Sequence, residues 1–277
     1  MRHIALPAGD LIPVLGQGTW HMAERPERRQ DEIDALRAGI DLGMTLIDTA
    51  EMYAAGGAET LVGEAIAGRR DEVFLVSKVL PQNGTRRGAI TACEASLQRL
   101  NTDHLDLYLL HWRGSVSLQQ TIGAFLELQE RGSIRHWGVS NFDVGGLAEL
   151  WDVLRGPDAQ IDQVLYNLSR RGPEHDLLPW CREQGLAVMA YSPIEQGRIL
   201  GDPALRAVAH RHGATPAQVA LAWVLREPGV CTIPNSSSPE HVRENAGALE
   251  VKLGDDDLDE LEEAFPRSAE AGPLETL

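Results

Sequence analysis

Eight times along the chain a short apolar run is followed by an amphipathic stretch, and this repeat restricts the fold more than any other feature. The runs lie at Val14–Gly18, Thr45–Asp48, Val73–Lys78, Leu105–His111, Ile134–Ser140, Ile161–Leu165, Leu186–Tyr191 and Val230–Ile233. They are nearly continuous in apolar residues, the pattern of strands buried on both faces. The stretches between them have helical period. In RRQDEIDALRAGIDLG, Ile33, Leu36 and Ile40 share one face and Gly43 supplies a stop. Similar patterns cover Ala58–Ala67, Arg86–Leu100, Leu118–Arg131, Val144–Leu154, Asp176–Gln184, Ala204–His212 and Glu240–Leu249. Strand and helix in alternation predict a parallel sheet covered by helices, and eight such units predict an α/β fold of the (β/α)8 TIM-barrel type, typically ~250 residues long. With 277 residues and 43% hydrophobic content the chain can fill one such core. A single barrel domain over residues 1–277 is expected, with no linker, internal repeat or second domain.

Three pieces stand outside the eight units. Residues 2–13, RHIALPAGDLIP, read as a hairpin turning at Ala8-Gly9-Asp10 that can cap the barrel bottom. TPAQVALAWVLRE places Thr215 as an N-cap and Pro216 at the first helical position, an extra helix before the eighth strand. GDDDLDELEEAF is a further helix whose N-terminal acids suit the helix dipole.

Charge narrows the choice of partner. Asp and Glu number 41 against 25 Lys and Arg, a net charge of -16 that opposes binding to nucleic acid or to an anionic membrane. A small-molecule partner is expected. The isolated cysteines Cys93, Cys181 and Cys231 form no CxxC pair and make a poor disulfide framework, which fits a reducing cytoplasm. The N-terminal MRHIALPAGDLIP lacks the apolar run of a signal peptide, and no stretch approaches the ~20 apolar residues of a membrane span. A soluble, cytoplasmic monomer is expected. No His/Cys cluster has metal-ligand spacing, since His210 and His212 face different ways on a helix, so no metal is expected.

In such a barrel the active site lies at the C-terminal ends of the strands. Those ends carry Asp48, Lys78, His111, Ser140 with Asn141, and Tyr191, while Gln163 lies within the sixth strand. Lys78 is informative because the chain has only one other lysine, Lys252, and uses Arg for charge elsewhere. Taken singly, each has a plain structural reading: Lys78 a solvated strand end, Asp48 a helix cap, His111 a hydrogen-bonded core residue, Tyr53 packing. Their joint placement points to chemistry. Asp48 can hold Lys78 as an ammonium, and that ammonium against Tyr53 lowers the phenol pKa so that Tyr53 can give a proton at neutral pH. His111 can hydrogen-bond and orient the substrate oxygen. Such a set protonates a carbonyl oxygen while something else attacks the carbon.

The motifs GQGTW, LIDTAEMY, VFLVSK, LDLYLLHW, WGVSNF, DQVLYN, MAYSP and SPEHVRENA follow one another along nearly the whole chain. In this the sequence resembles the aldo-keto reductase superfamily, and with its MTLIDTAEMY and LLPWC stretches it is most similar to compact bacterial reductases of methylglyoxal and other small aldehydes. The resemblance implies a catalytic tetrad of Asp48, Tyr53, Lys78 and His111, with hydride from NADPH, or NADH, delivered to the carbonyl carbon. It implies that Ser140, Asn141 and Gln163 bond the nicotinamide carboxamide, that Tyr191 stacks on the ring, and that Ser192 belongs to the same cofactor set. It also assigns Trp20 and Trp112, each just after a strand end, to the substrate pocket. Trp137, Trp151, Trp180 and Trp223 fall within strands or helices and read as core. Only about a dozen residues follow Phe265, too few to build a deep lid, which favours small or varied aldehydes over sterols.

Many relatives carry a Lys after Ile-Pro and an Arg six residues later to clamp the 2′-phosphate. Here Asn235 and His241 stand in those places. Ser236, Ser237 and Ser238 still offer hydroxyls, the helix starting near Pro239 offers free N–H groups, and His241 can carry part of a charge. A serine N-cap explains Ser238 equally well. Glu244 and Asn245 match the pair that contacts adenine. A modest preference for NADPH follows.

Two other motifs lead nowhere. GQGTWH starts like a dinucleotide fingerprint but has His21 at its sixth position and no helix directly after its strand. GVSNF lacks the final Gly of a nucleophile elbow. Two rival functions stay open at this stage: a nicotinamide-binding regulatory barrel with negligible turnover, and a Schiff-base aldolase using Lys78. Asp48 opposes the second, because it favours a charged lysine over the nucleophilic amine.

Overall fold

The computed structural model describes residues 1–270 and 272–277. The chain opens with an antiparallel hairpin, β1 (His3–Ala5) and β2 (Leu11–Pro13), in which Ile4 lies opposite Ile12. Its turn is closed by Leu6 N donating to Asp10 O, and Gly9 adopts φ +97°, a left-handed value that favours glycine. Eight parallel strands follow and pair in sequence order: β3 (Gln17–Gly18), β4 (Leu46–Asp48), β5 (Phe74–Val79), β6 (Leu105–Leu110), β7 (Ile134–Ser140), β8 (Ile161–Leu165), β9 (Ala187–Tyr191) and β10 (Val230–Thr232). The ring closes between its first and last members, where Gly16 N donates to Thr232 O at 2.8 Å and Thr232 N to Val14 O at 2.8 Å. The (β/α)8 barrel and its N-terminal hairpin are therefore present. The regular ladder of β3 is shorter than the expected Val14–Gly18, because residues 14–16 bond across the closing seam and not to β4.

Helices α1 (Arg29–Asp41), α2 (Gly57–Ala65), α3 (Arg86–Leu100), α4 (Leu118–Glu130), α5 (Val144–Trp151), α6 (Leu177–Gln184), α7 (Pro203–Arg211) and α9 (Pro239–Ala246) cover the outside. The two additional helices are α8 (Pro216–Val224) and α10 (Asp255–Ala264). Thr215 caps α8 with a reciprocal pair of bonds: its hydroxyl accepts from Gln218 N at 3.2 Å, and its own N–H donates to Gln218 Oε1 at 2.9 Å. Trp137 and Trp223 are buried between strands and helices, whereas Trp151 and Trp180 are only partly buried and pack edge to face. All three cysteines are buried. Among the described residues no helix is long and apolar enough to cross a membrane.

Strand alternation builds the barrel interior. Side chains two apart on a strand point the same way, so an apolar residue lies two positions below each polar rim residue. Leu46 lies below Asp48, Val76 below Lys78, Leu109 below His111, Ile161 below Gln163 and Met189 below Tyr191, all of them buried. Leu6 and Ile12 of the hairpin join this cluster and close its lower end. Full burial of such side chains contributes roughly 1.5–3 kcal/mol each. The polar rim thus stands on a dry floor.

Candidate active site

Asp48 ends β4, Lys78 stands near the end of β5, and His111 directly follows β6. Lys78 is 0% exposed and Asp48 2%, and their charged ends meet at 2.7 Å. The ammonium donates two more bonds, to Thr49 O at 2.9 Å and to Tyr53 Oη at 3.1 Å, so all three of its protons are used. Because Tyr53 Oη accepts from Lys78, the phenol's own proton is free for the space above. Tyr53 opens a short turn, Tyr53–Gly56, whose Ala54 and Ala55 have φ of +49° and +51°. Glu51 fixes the approach to that turn by accepting from Leu80 N at 2.7 Å and from Asn83 Nδ2 at 3.0 Å.

Burial and charge act against each other here. Burial weighs on the Lys78 ammonium, but Asp48 and Tyr53 outweigh it and hold the group above its ordinary range. At Asp48 burial raises the carboxyl while Lys78 and Gln163 pull it down, so the two partners titrate as a unit. Tyr53 departs from the sequence expectation. Lys78 does lower its pKa, but burial is the larger effect and the net shift is upward. The phenol is a firmly protonated donor, not an acidified one. For His111, burial and then the Lys78 charge lower the pKa to about 2, so the imidazole is neutral. Its Nδ1 is buried without a partner; a proton there would be an unsatisfied buried donor, which assigns the proton to Nε2. The Tyr53 and His111 rings meet edge to face with centroids 5.8 Å apart. Two neutral donors therefore converge on one place.

Next to them lies a second polar group. Ser140 Oγ donates to Gln163 O at 2.8 Å, and Asn141 Nδ2 donates to His111 O at 3.1 Å and to Ser140 Oγ at 3.2 Å. Tyr191 OH donates to Asn141 Oδ1 at 2.9 Å. Gln163 Nε2 donates to Asp48 Oδ1 at 2.8 Å, which leaves Gln163 Oε1 without a protein partner among the described residues. These groups edge a cavity of about 680 Å³, a usual size for a ligand site. The free Gln163 Oε1, with Ser140 and Asn141 next to it, fits a planar amide such as that of nicotinamide, and the half-buried Tyr191 ring lies beside it.

A family model for the aldo/keto reductase family matches residues 14–265. The chain belongs to this family. It is 52% identical over 265 residues to the methylglyoxal reductase YeaE of Escherichia coli, covering 94% of this chain and 93% of that one. It is 32% identical to the glyoxal reductase of Bacillus subtilis, covering 98% and 95% of the two chains. Among solved structures, an aldo/keto reductase from Klebsiella pneumoniae in complex with NADP and acetate has a TM-score of 0.97 and 47% identity, covering 99% of each chain. An aldo-keto reductase of the same organism in complex with NADPH has a TM-score of 0.96, covering 100% of this chain and 99% of that one.

Within the family fold, the cavity gathers most of the residues singled out from the sequence: Asp48, Tyr53, His111, Ser140, Asn141, Gln163, Tyr191, Ser192, Trp20, Trp112 and His241 all line it. Lys78 lies just beneath. Ser236, Ser237, Glu244 and Asn245 are not part of the lining; they sit on the loop after β10 and on α9, beyond Asn235 and His241. Ser236 is turned into its own loop, where its Oγ bonds Ser238 O and Ser238 N, both at 3.2 Å. Ser238 stands at the N-cap of α9 but makes no side-chain cap bond, and Asn235 Nδ2 donates to Trp20 O. Sequence reasoning missed His21, Met52, Ile194 and Leu277, which also line the cavity. His21 and Met52 adjoin Trp20 and Tyr53, an adjacency that carried a usable signal. Leu277 near the C-terminus also reaches the cavity, and Glu275 pairs with Arg170 at 2.6 Å.

Proposed function

We propose that this aldo/keto reductase uses NADPH to reduce small aldehydes and ketoaldehydes of the methylglyoxal type to alcohols, with Asp48, Tyr53, Lys78 and His111 as its catalytic set. The observation that carries the reading is the 3.1 Å bond from the buried Lys78 ammonium to Tyr53 Oη, itself fixed by the 2.7 Å pair with Asp48. When bound, the cofactor supplies the hydride. The carbonyl oxygen sits between Tyr53 Oη and His111 Nε2, which orient it and polarise the bond. Tyr53 then gives its proton to the oxygen that becomes the alcohol, and the charge left on the phenol falls beside Lys78. Lys78 thereby favours the state after proton transfer over the one before it, the difference on which catalysis depends. Ser140, Asn141, Gln163 and Tyr191 hold the nicotinamide, Ser192 continues that wall, and Trp20 and Trp112 border the substrate. Ser236, Ser237, His241, Glu244 and Asn245 take the adenosine and 2′-phosphate end.

A charged Lys78 bonded on all three protons cannot serve as a Schiff-base amine. The chain works as one barrel domain, as a cytoplasmic monomer. Steady-state oxidation of NADPH by methylglyoxal is the test. Turnover abolished by Tyr53→Phe is the expected result; NADPH binding with no oxidation across a panel of small aldehydes would leave a regulatory barrel instead.

A further inference from the structure

Asp162 is a carboxyl group that the reaction does not use. It neighbours Gln163 on β8, and strand alternation turns it outward, under the helices. It is 0% exposed, and Oδ2 has no hydrogen-bond partner among the described residues. Its one bond is at Oδ1, which accepts from Phe142 N at 3.5 Å. Burial pushes the carboxyl well above its ordinary range, against the pull of the Phe142 N–H and with the nearby Asp143 adding to it. An unpaired polar atom in such a place costs about 1–3 kcal/mol.

What Asp162 touches is the turn that leaves β7. Asn141 there has φ +59°, a left-handed value costly for a residue with a side chain. The turn is held to β8 by backbone and side chain. Along the β7–β8 ladder Gln163 O accepts from Asn141 N at 2.9 Å, and it also accepts from Ser140 Oγ at 2.8 Å. On the outer side Asp162 Oδ1 accepts from Phe142 N. Asn141 in turn joins His111 O to Tyr191 OH, so its backbone setting decides where that wall of the cavity stands.

We propose that Asp162 is a positioning residue for the nicotinamide end of the cofactor: by accepting from Phe142 N it fixes the left-handed turn at Asn141, and with it the Ser140, Asn141 and Tyr191 wall. The inference rests on the reading of that wall as the nicotinamide site. It requires an acceptor oxygen at this place.

The test compares Asp162→Asn, which keeps an acceptor of the same size, with Asp162→Leu, which removes it. Dissociation constants are measured for NADPH and for adenosine 2′,5′-bisphosphate, which lacks nicotinamide. Asp162→Leu should weaken NADPH about tenfold, the worth of one hydrogen bond, and leave the bisphosphate unchanged. Asp162→Asn should match wild type on both ligands. Equal weakening of both ligands in the Leu variant would mean general damage to the fold and overturn the proposal, as would unchanged NADPH binding. If the Leu variant does not fold, the Asn variant decides alone: wild-type affinity for both ligands supports the acceptor role, and a loss for NADPH overturns it. Failure of wild type to bind NADPH would count against the cofactor reading itself, a separate outcome.

Discussion

The two ends of the cavity are built differently. At the Tyr53 end, Asp48 and Lys78 are sealed from solvent, and every proton of the ammonium has an acceptor. At the other end Asn235 and His241 are exposed, and Ser236 bonds within its own loop. Moving any atom of the first end breaks several bonds at once, in a medium where unmet polar groups are costly. Side chains at the second end meet solvent. On the proposed reading the chemistry would therefore be fixed in the core, and discrimination between NADPH and NADH would be set on the surface.

Substitutions can sharpen or break that contrast. The largest effect is expected at the sealed end: Tyr53→Phe should reduce aldehyde turnover by at least ~100-fold while NADPH affinity is retained, and Lys78→Met should follow it. Near wild-type kcat in purified Tyr53→Phe would remove Tyr53 as the acid. Next comes His111, held at about 2 by burial and Lys78. An unfolded chain takes up a proton near pH 6.5 that the folded site refuses, so this contribution is intact above about pH 6.5 and is lost as the pH falls below it, at up to ~1.36 kcal/mol per unit. Denaturant melts at pH 7 and pH 5 should show a smaller drop for His111→Asn than for wild type; equal drops would mean that the imidazole is not held neutral.

At the open end a gain is expected. Asn235→Lys should tighten NADPH roughly tenfold or more over NADH, since a hydrogen bond to a charged group is worth about 1.5–3 kcal/mol. Equal tightening of both cofactors would place the 2′-phosphate elsewhere. The smallest effect belongs to Trp112, which is 37% exposed at the cavity mouth. Trp112→Ala should reorder a series of aldehydes by kcat/KM and leave the Kd for NADPH nearly unchanged; an unaltered ranking would exclude the indole from the substrate wall.

Much of the sealed end was legible in the sequence because strand alternation is local. Once Leu46 or Val76 is assigned to the interior, Asp48 and Lys78 follow two residues on. The cap of α8 was legible for the same reason, since Thr215 and Gln218 are three residues apart. Ile194 and Leu277 lie on connections whose direction depends on distant contacts, such as the pair of Glu275 with Arg170. No pattern in the neighbouring residues encodes those. The charge of Lys78 beside Tyr53 can be inferred from sequence, whereas the depth of burial that sets the direction of the Tyr53 shift cannot.

The dry floor beneath the rim also sets a route. With Leu6 and Ile12 in the apolar cluster below and Lys78 wholly covered, Tyr53 opens upward to the cavity. On the proposed mechanism each alcohol formed would leave the phenol one proton short, and the replacement would come from the cavity through which the alcohol departs. Recharging and emptying would then share that space, so that release of one product prepares the site for the next aldehyde.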